Sequence, residues 1–207
     1  MATAVAGRPP LLEWGVATHT LPGQVECGDL HVIQPFAGGV MVGVVDGLGH
    51  GEEAAAAAKL AVATLSKRPE ESVLSLVRHC HRALRGTRGV VMSIASLSGA
   101  DDAMTWLGIG NVEGVLYRAD AQGAPDRESI LLRGGVVGYE LPPLRAVMVP
   151  ISRGDTLLLA TDGIRAGFAD DPALAESPQR LADHILAKYA RETDDALVLA
   201  VRYLGTT

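Results

Sequence analysis

Aspartates stand at the ends of apolar runs, and this placement is the first chemical signal in the chain. Asp46 closes the run "VMVGVVD" and leads directly into Gly47, Gly49, Gly51 and an alanine-rich tract. Asp162-Gly163 repeats the device after "LLLA", Asp194 and Asp195 precede "ALVLAV", and Asp29 opens "DLHVI". An isolated Asp-Gly pair need do no more than shape a turn. Several acidic strand ends, far apart in sequence, can converge on one edge of stacked sheets, and such a cluster is costly without a divalent cation. Carboxylates, with glycines that let backbone carbonyls approach, make an oxygen-only site suited to Mg2+ or Mn2+.

A strand, glycines and a helix also outline a nucleotide-phosphate cradle. The chemistry opposes it. No Lys stands where a Walker-type loop needs one, the glycines at 47, 49 and 51 depart from G-x-G-x-x-G, and Asp46 would repel an anion.

The elements that must position these carboxylates are mostly strands. "WGVATHT", "LHVIQPF", "VMVGVVD", "GVVMSIASL", "AMTWLGIG", "GVLYR", "SILLR", "DTLLLATDG" and "ALVLAVRY" all read as strands, in series without intervening helices. Helices are predicted over "EEAAAAAKLAVATL" from Glu52, over Glu70 to Leu84, and after Ser177 as N-cap with Pro178 at the first position. This pattern predicts an α+β fold, two antiparallel sheets with helices on their faces, and argues against a doubly wound parallel sheet. The 207 residues, 48% hydrophobic, are expected to form one domain, 1–207, with a core of about 13–204. Aromatics at 4% leave that core to Val, Leu, Ile and Ala.

A net charge of -6 opposes a nucleic-acid role, which needs a concentrated positive footprint. Cys27 and Cys80 are too few for a disulfide framework. No apolar run reaches the length of a membrane span, and "MATAVAGRPP" lacks the plan of a signal peptide, so no membrane association and a cytoplasmic location are expected.

"VVDGLGHGEEA", "LLLATDGI" and "TDDALVLAV" resemble the signature segments of the metal-dependent serine/threonine phosphatases related to protein phosphatase 2C, in the SpoIIE-like branch. "GIGNVEGVLYR" and "SRGDTLLLATDGI" are similar to segments of the compact RsbX-type members. The resemblance spans about residues 13–204. It implies an αββα sandwich and two Mn2+ or Mg2+ ions bridged by Asp46, with the Gly47 carbonyl on one of them. Asp162 and Asp194 would complete the first metal site, and Asp29 aligns with the acidic position of the family's first motif. The implied reaction is hydrolysis by metal-activated water, without a phosphoenzyme. The implied partners are phosphorylated STAS-domain proteins of a stressosome. Dephosphorylation of an anti-anti-sigma factor, or a catalytically silent binding module, are the alternatives. The oligomeric state stays open, with a monomer as the simplest form.

This sequence departs from the family pattern in places. Leu48 stands where eukaryotic relatives have a histidine, and His50, two residues on, is a candidate general acid or a solvated loop residue. No arginine aligns with the phosphate-binding arginine of eukaryotic members. Arg78, Arg82 and Arg85 share a helical face, solvated or docking, while His79 and His81 flank Cys80 of a buried stripe and share no face. Residues 132–155, rich in Gly and Pro, are expected as an exposed loop beside the site that selects substrate.

Overall fold

The computed structural model describes residues 2–3, 10–120, 126–170 and 176–206. One sheet runs in the order β1 (Ala2–Thr3), β2 (Leu12–His19), β12 (Ala196–Tyr203), β11 (Thr156–Ala160), β7 (Glu113–Tyr117) and β8 (Arg127–Ser129). The other runs β10 (Val147–Pro150), β6 (Ala103–Ile109), β5 (Val90–Ser98), β4 (Gly39–Gly47) and β3 (Asp29–Phe36). Neighbours within both are antiparallel, and only β9 (Leu132–Arg133), beside β6, pairs in parallel.

The period of two along each strand sorts the core into layers. Val40, Val42 and Val44 of β4 meet Leu157 and Leu159 of β11 and Leu197, Leu199 and Val201 of β12 between the sheets. Met41 and Val45 face the other way, beneath α1 (Glu52–Leu65) and α2 (Val73–Ala83). Val198 and Ala200 pack beneath α3 (Pro178–Tyr189) on the opposite outer face. Strands buried on both faces need no polar alternation, which explains their near-continuous apolar character. The expected αββα sandwich is therefore the observed one.

Local chemistry sets the ends of the elements. The alanines of α1 let it approach β4 closely: a Cβ on Gly47 would lie 2.2 Å from the Ala54 carbonyl oxygen. α2 begins at Val73 and not near Glu70, because the Ser72 hydroxyl caps it by accepting from the Ser75 N–H at 3.2 Å. Ser177 holds the N-cap position of α3, but its side chain accepts no capping bond; Pro178 makes the start. "SILLR" is not one strand. β8 ends at Ser129, and the chain crosses through buried Ile130 to the other sheet as β9.

Residues 132–155 are not one exposed loop either. β9 and β10 occupy its ends, Val137 is buried and exchanges backbone bonds with Val90, and the Gly138 N–H donates to His81 Nδ1 at 3.0 Å. This segment is a wall fastened to α2 and β5. The connection read over 118–129 falls partly outside the described residues. Among the described residues, no helix is long and apolar enough to cross a membrane.

Candidate functional site

Antiparallel pairing gathers the acidic strand ends. The β3–β4 register sets Asp29 directly opposite Asp46. Like charges in that relation destabilise a ladder, so fold stability does not account for the pair. Asp46 keeps the parity of Val40, Val42 and Val44 and so lies on the inter-sheet face, where that face opens. Asp162 follows the end of β11, in the turn closed by the Ile164 N–H on the Thr161 carbonyl, and Asp194 precedes β12, the neighbour of β11. Asp29, Asp46, Asp162 and Asp194 thus line one cleft, of about 150 Å³, with Leu48, Gly49, Val91 and Asn111.

The cleft is electrostatically unbalanced. Asp29 is only 3% exposed, and its Oδ2 has no hydrogen-bond partner. Burial pushes its carboxyl up to about 7; a Thr161 hydrogen bond opposes the rise, and the charges of Asp195, Asp162 and Asp194 add to it. Asp46 rises to about 9, through burial first and then the charges of Asp29, Asp162, Asp194 and Asp195. Asp194 is raised by burial and by Asp162. An orphaned buried oxygen amid mutually repelling carboxylates fits a cationic occupant, and an oxygen-only donor set fits Mg2+ or Mn2+. Among the described residues, no three His, Cys, Asp or Glu side chains converge closely enough to enclose an ion by themselves. Carbonyl and water oxygens would have to complete the shell, as hard cations allow.

Other residues singled out in the sequence occupy distinct places. Gly47 is buried and donates its N–H to the Gly28 carbonyl at 3.1 Å. His50 is exposed just past Gly49. Cys80 is buried with its thiol on the Ala61 carbonyl, His79 meets Glu71, and His81 takes the Gly138 N–H. Arg78, Arg82 and Arg85 are exposed, with Arg82 against His79.

Two residues take supporting roles that the sequence did not assign. Asn111 Nδ2 donates to Asp162 Oδ2 at 2.7 Å. Asp195 is 3% exposed and accepts the N–H groups of Leu21 at 2.8 Å and Gly28 at 2.7 Å, clamping the turn that delivers Asp29. Nothing in the sequence singled out Asn111.

Two face-to-face antiparallel sheets, helices outside, and a carboxylate cleft at one end of the sandwich define the protein phosphatase 2C type of fold. The chain belongs to the SpoIIE family, Stage II sporulation protein E, whose profile matches residues 37–204. It is 26% identical over 147 residues, 69% of each chain, to phosphoserine phosphatase RsbX of Bacillus subtilis (strain 168). A chain from a structure of the bacterial stressosome, a modular system adapted to control secondary messenger signalling, superposes with a TM-score of 0.83 at 29% identity. That match covers 92% of this chain and 99% of the other. RsbX in complex with magnesium also superposes at 0.83, with 18% identity and 98% and 100% coverage.

Proposed function

We propose that this chain is a Mn2+- or Mg2+-dependent serine/threonine protein phosphatase acting on phosphorylated STAS-domain proteins of a stressosome, in the cytoplasm. The observation that carries the reaction is the Asp29–Asp46 pair with its unpartnered buried oxygen, an arrangement that costs stability and repays it only around a cation. In this reading Asp46, Asp162, Asp194, the Gly47 carbonyl and Asp29 would hold the ions. Bound ions of this kind supply an activated water nucleophile near neutral pH and offset the phosphoryl charge.

The chain's own groups do the rest. Asn111 orients Asp162, and Asp195 fixes the turn before Asp29. Leu48 and Val91 give the cleft an apolar flank. A volume of about 150 Å³ admits a phosphoryl group but not a folded segment, so the rest of a protein substrate must rest on the surface. The substrate class is supported by similarity to RsbX and to the stressosome chain.

The test is hydrolysis of an aryl phosphate and of a phosphorylated STAS-domain protein during Mn2+ titration, with wild type, Asp46→Asn and a chelator control. Saturable turnover lost in the variant is expected. Equal inertness of both proteins on both substrates would leave a partner-binding module. Turnover on a phosphorylated anti-anti-sigma factor alone would move the substrate and keep the chemistry.

A further inference from the structure

Arg88, between α2 and β5, is a cationic group that the fold sets against the glycine loop following Asp46. A Cβ on Gly49, which lines the cleft, would lie 2.8 Å from Arg88 Nη1, so the guanidinium rests directly against the cleft lining. Gly49 has φ of +85°, a conformation that itself favours glycine.

Arg88 is held there from several sides. Its Nε meets Glu53 Oε2 of α1 at 2.5 Å. The next residue, Gly89, accepts the Leu48 N–H on its carbonyl at 3.2 Å and donates its own N–H to Thr87 Oγ1 at 3.0 Å. Thr87 in turn gives both its N–H and its hydroxyl to the Leu84 carbonyl at the end of α2. A Cβ on Gly89 would strike Val136, so the wall formed by 132–155 backs the same turn. The loop that carries the arginine and the loop that follows Asp46 are thus fastened backbone to backbone. With Nε engaged by Glu53, Nη1 lies against Gly49 of the cleft lining, and the side chain is 49% exposed.

We propose that Arg88 is the phosphate-contacting residue at the mouth of this cleft, binding the phosphoryl oxygens that point away from the carboxylates. This rests on the phosphatase reading above. A fixed, planar fork that stays charged at any working pH is suited to a phosphoryl group. Glu53 directs the fork and leaves its outer edge available.

The test is calorimetric binding of inorganic phosphate to Mn2+-loaded protein, beside turnover of an aryl phosphate. Arg88→Ala is expected to weaken phosphate binding by about tenfold or more, the worth of a charge-assisted hydrogen bond, and to raise KM in step. Its Mn2+-activation midpoint should stay at the wild-type value, and Arg88→Lys should recover part of the affinity. Arg85→Ala, exposed on the same connection, controls for net charge. The Arg88–Glu53 pair is a surface ion pair, so Arg88→Ala should fold and melt near wild type, and Glu53→Gln, which keeps the arginine, is the second variant. Active Arg88→Ala that binds phosphate within twofold of wild type overturns the arginine's role and leaves the phosphatase reading standing. Arginine-dependent phosphate binding in a protein inert on every phosphoprotein supports the anion site and sinks the phosphatase reading. Wild type that binds no phosphate overturns the proposal.

Discussion

β11 carries an aspartate at each end, and the two are treated in opposite ways. Asp155, at its start, is 2% exposed and fully matched: it accepts from Arg118 Nη1 at 3.0 Å, the Ala119 N–H at 2.9 Å and the Ser152 N–H at 3.0 Å. Arg118 also reaches Glu128 and the Pro150 carbonyl, and only its Nε is left without a partner. Asp162, just beyond the other end, receives only the neutral Asn111 amide among the described residues and shares its cleft with three more carboxylates. One end of the sandwich spends its buried charge on stability; the other holds charge that the fold itself does not balance. Local rules broken at one place and obeyed elsewhere mark the functional end.

Exchanging each aspartate for asparagine tests that contrast most severely. Asp162→Asn should reduce metal-dependent turnover by roughly 10²–10³-fold, the scale for loss of one preorganised electrostatic group. It should leave the melting temperature of the metal-free protein unchanged or higher. Asp155→Asn should do the reverse, leaving turnover per folded molecule intact while costing about 3 kcal/mol, because Arg118 loses a buried partner. Thermal melting and active-site-normalised rates separate the two. A destabilised, fully active Asp162→Asn protein would erase the distinction between the ends.

The contrast also has a pH signature. Asp29 and Asp46 hold protons in the folded, metal-free protein that the unfolded chain has released, since their values rise from the ordinary 3.8 to about 7 and about 9. Stability from these groups is fully present below about pH 4 and is lost as pH climbs through 7 and 9. Chelated wild type should therefore melt at progressively lower temperature between pH 5 and 9. Asp46→Asn should flatten that slope, and saturating Mn2+ should do so in wild type. A slope unchanged by the substitution would show that the cleft carboxylates are not its source.

Adjacent Asp194 and Asp195 sharpen the same contrast within two residues. Asp194→Asn should weaken Mn2+ activation without lowering the melting temperature. Asp195→Asn sets an amide NH2 against the Leu21 or Gly28 N–H and should cost about 1–3 kcal/mol. Equal effects of the two substitutions on metal affinity, with no difference in melting, would contradict the division of labour.

The sandwich was legible because its strands are apolar on both faces and occur without helices between them, a pattern with few other solutions. The acidic strand ends were legible because Asp-Gly after an apolar run recurs at 46 and 162. Their convergence in one cleft depends on register and strand order, which periodicity does not encode. For the same reason the split of "SILLR" between two sheets was hidden, and so was the wall at 132–155, whose Gly and Pro content read as an open loop while Val137 is buried. Composition does not tell which of the neighbours Asp194 and Asp195 faces the cleft. Arg88 was invisible because its relation to Gly49 is made through space, across two connections.

The smallest effect belongs to Asn111. Its amide gives Asp162 one hydrogen bond, at 2.7 Å, on an exposed rim and without charge of its own. Loss of a single neutral donor to a carboxylate is worth about 1–2 kcal/mol when the acceptor stays wet and can take water instead. Asn111→Ala should therefore lower turnover by roughly 5- to 30-fold while leaving melting unchanged. Because Asp162 keeps its charge, saturating Mn2+ should restore part of the rate in this variant, as it cannot in Asp162→Asn. A rate defect independent of Mn2+ concentration would place Asn111 on the substrate and not on the carboxylate. The amide would then belong with Arg88 among the groups that meet the phosphoryl oxygens, and the acidic end would rely on Asp195 alone for its support.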